Sequence, residues 1–226
     1  MEREITFENN KGNKLYGILS NPNSNNNCPI IIMCHGLNSN KNSSTILELE
    51  KIFSKNNIAS FRFDFFAHGD SEGDVDDRSV EEFVDNILNT IDFLKKDGYK
   101  NIGIFGISFG GVASIIAASR SSDLNIMALK AAGMGQTSRK MPNYKRDFDN
   151  KIWIKAGKKV KIPTLIIHGT VDEDVELQLA KELAESIKGS QLKLFEGADH
   201  KFSKEKDFKK CIKEVSDFII RNINTV

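Results

Sequence analysis

The sequence is poor in the residues that mark several classes of protein. Its three cysteines, Cys28, Cys34 and Cys211, are odd in number and widely spaced, so they match neither a zinc-site pattern nor a disulfide framework. We therefore expect reduced, structural thiols and no metal site. No apolar run approaches the roughly 18 residues that a membrane span needs, and the first residues lack the apolar segment of a secretory signal. These absences predict a cytoplasmic protein without a membrane span.

An excess of one charge is also missing. The chain has 226 residues, with 32 Lys and Arg against 31 Asp and Glu, so it carries no overall field that would attract nucleic acid or an anionic membrane surface. A small molecule is a better expectation for the partner than either of these. The length suits one sizeable core, and we expect residues 1–226 to form one domain. Monomer and homodimer both stay open.

The arrangement of apolar residues predicts an α/β fold. Alternating apolar positions around a turn-rich Asn-Asn-Lys-Gly-Asn predict a β-hairpin in the first 20 residues. From residue 29 onward, short apolar runs, typical of strands buried on both faces, alternate with longer segments of helical period. The predicted strands are 30–34, 58–63, 102–107, 126–131, 164–168 and 192–195, and the predicted helices are 43–55, 80–95, 112–119, 175–187 and 208–223. This pattern predicts a doubly wound, mostly parallel sheet opened by an antiparallel hairpin.

One segment, 136–161, interrupts the alternation. It is polar and basic, and an insertion of about 25 residues between two strands is typical of a lid. Its aromatic residues Tyr144, Phe148 and Trp153 are candidates either for the wall of an acyl or aromatic pocket or for anchors that hold the insertion on the body. Its basic residues include Lys140, Lys145 and Arg146. They indicate either a carboxylated substrate or an exposed basic face.

A candidate nucleophile lies between a predicted strand and a predicted helix. The string Gly106-Ile107-Ser108-Phe109-Gly110-Gly111 has the G-x-S-x-G pattern of a sharp turn that exposes a serine hydroxyl above the sheet edge. The glycines remove Cβ atoms that would clash in such a turn. The helix N-terminus that follows offers free N–H groups where an oxyanion would form. The plainer alternative is a turn with a helix-capping serine.

A serine hydroxyl needs a base, and the chain has four histidines. Three of them, His35, His68 and His168, each precede a glycine at the end of, or just beyond, a predicted strand, which favours structural roles. His200 lies instead in a turn between the last strand and the last helix. It is the candidate base on the chain order serine, acid, histidine.

Three acidic residues are candidates to orient that base. Asp172, Glu173 and Asp174 share one loop after the strand 164–168. Each is equally suited to the first turn of the following helix, where a negative charge meets the positive end of the helix dipole. The residues alone do not separate them.

Five strings in order resemble the α/β-hydrolase superfamily, and more narrowly its small esterases and lipases related to cinnamoyl (feruloyl) esterases and to the catalytic domains of prolyl-oligopeptidase-type peptidases. The resemblance covers nearly the whole chain. The strings are His35-Gly36-Leu37, DFFAHGDSEG (64–73), Gly106 to Gly111, HGTVDEDV (168–175) and Asp199-His200.

The resemblance implies roles that the residues alone leave open. It makes Asp172 the triad acid, and it assigns the oxyanion-hole N–H groups to Leu37 and Phe109. One departure concerns the second string, where Phe66 stands in place of the usual arginine, so the structural contact of that arginine is in doubt.

We therefore expect a serine esterase that cleaves carboxylic esters of small or medium acyl or aromatic acids through an acyl-enzyme intermediate, without a cofactor. A peptidase or thioesterase would use the same triad. A non-catalytic ligand-binding protein of this fold is the alternative from a different class.

Overall fold

The computed structural model describes residues 1–23, 25–139 and 142–223, which form an eight-stranded sheet flanked by helices. The strands are β1 (Glu2–Glu8), β2 (Lys14–Ser20), β3 (Ile30–Cys34), β4 (Ala59–Phe63), β5 (Ile102–Ile107), β6 (Leu124–Lys130), β7 (Thr164–Gly169) and β8 (Gln191–Phe195). The helices are α1 (Ser44–Lys55), α2 (Val80–Lys96), α3 (Phe109–Arg120), α4 (Gln136–Arg139), α5 (Pro142–Asp149), α6 (Ile152–Gly157), α7 (Leu177–Ser186) and α8 (Glu205–Asn222). A 3₁₀ turn spans Val75–Asp77.

The strand order confirms the predicted fold class. The sheet runs β1-β2-β4-β3-β5-β6-β7-β8. The hairpin β1–β2 is antiparallel and adds to β4 in antiparallel register, whereas every pair from β4 to β8 is parallel. Parallel strands need long crossovers, and helices supply them here.

The centre of the sheet is buried on both faces, and its strand β3 is apolar at every position. Successive side chains of a strand point to opposite faces. In β3, Ile30 and Ile32 pack into the layer that contains α2 and α3, while Ile31 and Met33 pack into the layer that contains α1 and α8. Two apolar layers therefore enclose the sheet. Among the described residues, no helix combines the length and apolarity that crossing a bilayer requires.

The order of the strands indicates where on the sheet edge a ligand would bind. From β3 the chain passes through α1 to β4 on one side, and then through α2 back to β5 on the other side of β3. The strand order thus reverses between β3 and β5, and ligands of open α/β sheets bind at the carboxyl ends of such strands. The loops after β3 and β5 carry Leu37 and Ser108.

Candidate active site

Ser108 occupies a strained turn between β5 and α3. Its backbone has φ +51° and ψ −119°, a conformation that is unfavourable for a residue with a Cβ atom. Two glycines make the turn possible. A Cβ atom on Gly106 would lie 2.6 Å from Ser114 Oγ, and one on Gly110 would lie 2.2 Å from the carbonyl oxygen of His35. The close approach of helix and strand therefore holds the serine at the sheet edge in this conformation.

The structure brings His200 to the hydroxyl of Ser108. The imidazole Nε2 lies 3.1 Å from Ser108 Oγ, and Nδ1 lies 2.8 Å from Asp172 Oδ2. Because an ionised carboxylate only accepts hydrogen bonds, Nδ1 donates and Nε2 is left to accept the hydroxyl proton. The three residues follow β5, β7 and β8 and meet at one edge of the sheet.

The carboxylate of Asp172 is fully buried and fully bonded. Its Oδ1 accepts the N–H groups of Asp174 (3.0 Å) and Val175 (2.8 Å), while Oδ2 accepts from His200. Burial would by itself raise the pKa of Asp172, but the hydrogen bond and charge of His200 and the Val175 N–H together hold the pKa below its usual range. Asp172 is therefore charged at neutral pH.

The two neighbouring acids lie elsewhere. The side chain of Glu173 is exposed. Asp174 is one-third exposed and places Oδ2 3.8 Å from His200 Nε2, on the side of the ring that faces the serine. The structure therefore separates three residues that the sequence alone left equivalent, and only Asp172 bonds to Nδ1.

Two backbone N–H groups near Ser108 are candidates for an oxyanion hole. Leu37 lies in the turn after β3, and Phe109 is the first residue of α3. Within the described parts of the chain neither N–H has a hydrogen-bond partner. A Cβ atom on Gly36 would lie 3.3 Å from Ser108 Cβ, so this loop passes directly beside the serine.

Lys41 ties the loop after β3 to the loop after β4. Its ammonium lies 2.5 Å from Asp64 Oδ2 and 2.5 Å from Asp70 Oδ2, and its backbone N–H donates to Asp64 Oδ1 at 2.7 Å. Asp64 is completely buried. Phe66, which replaces the arginine of the family pattern, is itself buried. In this chain a lysine from a different loop therefore neutralises the buried aspartate.

The three His-Gly histidines are buried at the sheet edge. His35 donates from Nδ1 to the carbonyl of Gly36 and accepts the Phe65 N–H at Nε2, so both its nitrogens are bonded. His68 Nε2 and His168 Nδ1 have no partner among the described residues. Burial lowers the pKa of His68 to about 4. These rings are neutral groups of the interior.

A pocket of about 560 Å³ opens at Ser108 and His200. This volume lies within the range of small-molecule sites. The lining combines polar and apolar groups and comes from the loop after β3, the start of α1, the ends of β5 and β6, the insertion and the loops after β7 and β8. Its other members are Gly36, Leu37, Asn38, Ser39, Ser43, Ser44, Thr45, Ile107, Lys130, Ser138, Asp174 and Lys201.

The aromatic residues of the insertion do not line this pocket. Tyr144 and Trp153 are fully buried in the apolar layer, and the ring of Tyr144 packs against Phe109 with 5.0 Å between centroids. Of the two roles that the sequence left open, the packing favours anchoring of the insertion. Lys145 and Arg146 are exposed. Lys140 lies outside the described residues.

Sequence reasoning missed Lys130 and the contact of Asp174 with His200. Lys130 ends β6, is only 4 % exposed and lines the pocket. The available signal was a lysine inside a run predicted to be a strand buried on both faces. Nothing in the sequence distinguished the side chain of Asp174 from that of Glu173.

Comparisons with known proteins agree with this architecture. A comparison with curated proteins gives no match. Among solved structures, Est1E from Butyrivibrio proteoclasticus with ferulic acid bound is 23 % identical, with a TM-score of 0.86, and the alignment covers 97 % of this chain and 99 % of that one. The Pyrococcus furiosus esterase Pf2001 is 19 % identical (TM-score 0.82, covering 99 % and 93 %). A dienelactone hydrolase from Anabaena variabilis is 18 % identical (TM-score 0.79, covering 98 % of each chain).

These likenesses show the fold, and a family model shows the family. The model of the alpha/beta hydrolase domain matches residues 27–226, which takes in every strand of the parallel part of the sheet and the loops that carry Ser108, Asp172 and His200. The chain therefore belongs to the alpha/beta hydrolase family.

Proposed function

We propose that the protein is a serine esterase in which Ser108 is the nucleophile, His200 the general base and Asp172 the orienting acid. The observation that carries the proposal is the continuous chain of hydrogen bonds from Asp172 through His200 to Ser108, with heavy-atom distances of 2.8 and 3.1 Å, at the mouth of a pocket. Nucleophile, base and orienting acid within hydrogen-bond reach are the signature of an activated serine.

The geometry supports acyl transfer in two halves. His200 Nε2 takes the proton of Ser108 as Oγ forms a bond to the ester carbonyl carbon, and Asp172 stabilises the imidazolium that results. The carbonyl oxygen, now negative, accepts the N–H groups of Leu37 and Phe109. The imidazolium then gives its proton to the departing alcohol. Water then attacks the acyl-serine while His200 Nε2 takes a proton from it. The imidazolium returns this proton to Ser108 Oγ as the acid leaves.

The strain at Ser108 favours catalysis over simple ligand binding. A serine with φ +51° costs about 1 to 3 kcal/mol of stability. A hydroxyl that served only to bind a ligand would not need this conformation, whereas a nucleophile gains from it because Oγ stands clear of the backbone and faces the base. A non-catalytic role leaves both the strain and the buried carboxylate behind His200 without a purpose.

The pocket supports small substrates with polar parts. Est1E, the neighbour of this fold mentioned above, holds ferulic acid. In this chain the walls near Ser108 include several hydroxyl and amide side chains, and Tyr144 and Trp153 of the insertion are buried elsewhere. We therefore place short acyl groups first among the candidates.

The test is hydrolysis of p-nitrophenyl acetate and butyrate together with covalent labelling by a fluorophosphonate. Ser108→Ala should abolish both. Ser119→Ala is the matched control, because Ser119 lies on the same helix with its hydroxyl bonded to the carbonyl of Ile116, and it should retain both. Labelling of Ser108→Ala at the wild-type rate would refute the nucleophile, and a folded wild type that neither turns over nor labels would favour a binding protein. Rates on p-nitroanilides and acyl thioesters above those on esters would move the assignment to a peptidase or thioesterase.

A further inference from the structure

The floor of the pocket contains a buried lysine. Lys130 is the last residue of β6 and lies beside Ile107 of β5 in the parallel register, and both residues line the pocket next to Ser108. The backbone carbonyl of Lys130 also accepts the N–H of Ser108 at 2.9 Å, so the lysine is fixed relative to the nucleophile. Its position is set by the sheet itself and not by a flexible loop.

This ammonium has no carboxylate partner. Within the described parts of the chain, no Asp or Glu oxygen lies within 4 Å of its Nζ. Nζ donates to the carbonyl oxygen of Lys201 at 3.2 Å and lies 4.9 Å from the centroid of the Phe202 ring. An ammonium has three N–H groups, so these contacts leave it able to donate further. Burial lowers the pKa of Lys130, and the charges of more distant groups such as Asp172 offset this only in part.

Two other buried cations follow the usual rule that a buried charge is paired, whereas the guanidinium of the buried Arg78 bonds to the carbonyl of Ala67. Lys41 bonds to two carboxylates, and Arg62 bonds to Glu50 at 3.0 Å. Lys130 departs from this rule in the pocket that opens at Ser108 and His200. A substrate that brings its own carboxylate would supply the missing counter-charge.

The opposite wall also favours an anion. The N-terminus of the 12-residue helix α1 lines the pocket through Ser43, Ser44 and Thr45, and the first turn of this helix has no acidic residue. The Ser43 hydroxyl does not cap the helix and has no hydrogen-bond partner among the described residues. The positive end of a helix dipole therefore faces the same space as Lys130. Asp174 is the one carboxylate of the pocket lining, and it lies at the partly exposed rim beside His200.

We propose that Lys130 is a specificity-determining residue that binds an ionised carboxyl group of the substrate, so that the preferred esters carry a second, free carboxylate. The inference rests on the proposed esterase function and names the substrate class of that same pocket. The carboxylate belongs either to the acyl part or to the alcohol part of the ester, and the two forms share the chemistry that Lys130 recognises.

The experiment compares each anionic ester with its neutral methyl ester. Monomethyl glutarate against dimethyl glutarate tests a carboxylate on the acyl side, and 3-acetoxypropanoate against its methyl ester tests the alcohol side. The measurement is kcat/KM from initial rates of proton release. A buried hydrogen bond to a charged group changes kcat/KM by at least about tenfold, so at least one anionic ester should exceed its neutral partner by this factor.

Lys130→Met removes the ammonium and keeps the length of the side chain. The preference for the anionic ester should then disappear, and thermal unfolding should show a folded variant, because replacing a buried charge by an apolar group of similar size is often neutral or stabilising. The matched control is Lys201→Met, which removes an exposed lysine of the same pocket and should change the preference by less than about threefold.

The outcomes separate the two proposals. Equal rates on anionic and neutral esters in a wild type that reacts with fluorophosphonate would overturn the role of Lys130 and leave the esterase intact. A preference that survives in Lys130→Met, or that is lost in Lys201→Met instead, would overturn it as well. A folded wild type that hydrolyses no ester and does not label would refute the esterase, and the specificity with it.

Discussion

Replacement of Asp172 by asparagine should stop the reaction by reversing the tautomer of His200. The Oδ1 of Asp172 accepts two backbone N–H groups, from Asp174 and Val175. In Asp172→Asn the amide oxygen has to stay with these two donors, so the NH₂ group takes the place of Oδ2 and points at Nδ1. Two donors then face each other unless Nδ1 gives up its proton.

The neutral imidazole therefore shifts to the tautomer with its proton on Nε2, and Nε2 then cannot accept the proton of Ser108. The fold survives, because the side chain keeps its shape and its backbone bonds. An asparagine in this position of a serine triad lowers kcat by about 10⁴-fold. We expect a fall of this order here, which corresponds to about 5 kcal/mol of transition-state stabilisation.

The assay is kcat for a p-nitrophenyl ester, with thermal unfolding as the check on folding. Asp174→Asn is the matched control, because it removes a carboxylate two residues away that lies 3.8 Å from the other ring nitrogen and is one-third exposed. Its kcat should change by less than about tenfold. The reasoning is refuted by an Asp172→Asn variant that keeps more than a tenth of the wild-type kcat, or by equal losses in the two variants.

Three further predictions concern the scaffold of the site. Gly110→Ala places a Cβ atom 2.2 Å from a backbone oxygen, so it should lower the free energy of unfolding by about 1 to 3 kcal/mol and slow fluorophosphonate labelling. Gly189→Ala is the control, because Gly189 has φ +80° and open space around it. It should lower the free energy of unfolding, measured by chemical denaturation, by about 1 kcal/mol and leave the labelling rate unchanged. Lys41→Met leaves the buried carboxylate of Asp64 without its cation and should cost about 3 to 5 kcal/mol by the same measurement, with part of the loss recovered in the double variant that adds Asp64→Asn. Burial lowers the pKa of His68 to about 4, below the unfolded value of about 6.5, so the unfolded chain binds the proton first. His68 by itself should therefore lower stability by about 1.4 kcal/mol per pH unit as the pH drops from about 6.5 to 4, alongside the buried His35, whose pKa is also lowered to about 4. His68→Gln should reduce the slope by about this amount, and an unchanged slope would contradict the assignment.

The strands were predictable because burial on both faces leaves a continuous apolar run. The predicted strands 30–34 and 102–107 coincide with β3 and β5. Helix α3 begins at Phe109, three residues before the predicted start. The prediction began too late because Gly110 and Gly111 are poor helix formers in isolation. Their lack of a side chain is what permits the close packing, since a Cβ atom on Gly111 would lie 2.6 Å from Ala132 Cβ. Tertiary contact overrides local preference there.

The candidate site was predictable in its outline and not in its surroundings. Local strand-turn-helix chemistry indicates Ser108, and chain order indicates His200. Periodicity cannot say which of three adjacent acids turns inward, since that depends on the two backbone N–H groups that hold Asp172. The small helices of the insertion were not predicted either, because they are short and are stabilised by burial of Tyr144 and Trp153 in the body.

The position of β8 places His200, the proposed base, next to an edge strand of the sheet. β8 has a single neighbouring strand, β7, and His200 follows it directly. Ser108 follows β5, which lies three strands further in. Terminal strands of this kind open with a smaller free energy than the whole domain, and such an opening carries the imidazole away from a serine that stays in place. Under the proposed function, ester hydrolysis is therefore lost when this peripheral unit opens, before the rest of the sheet unfolds.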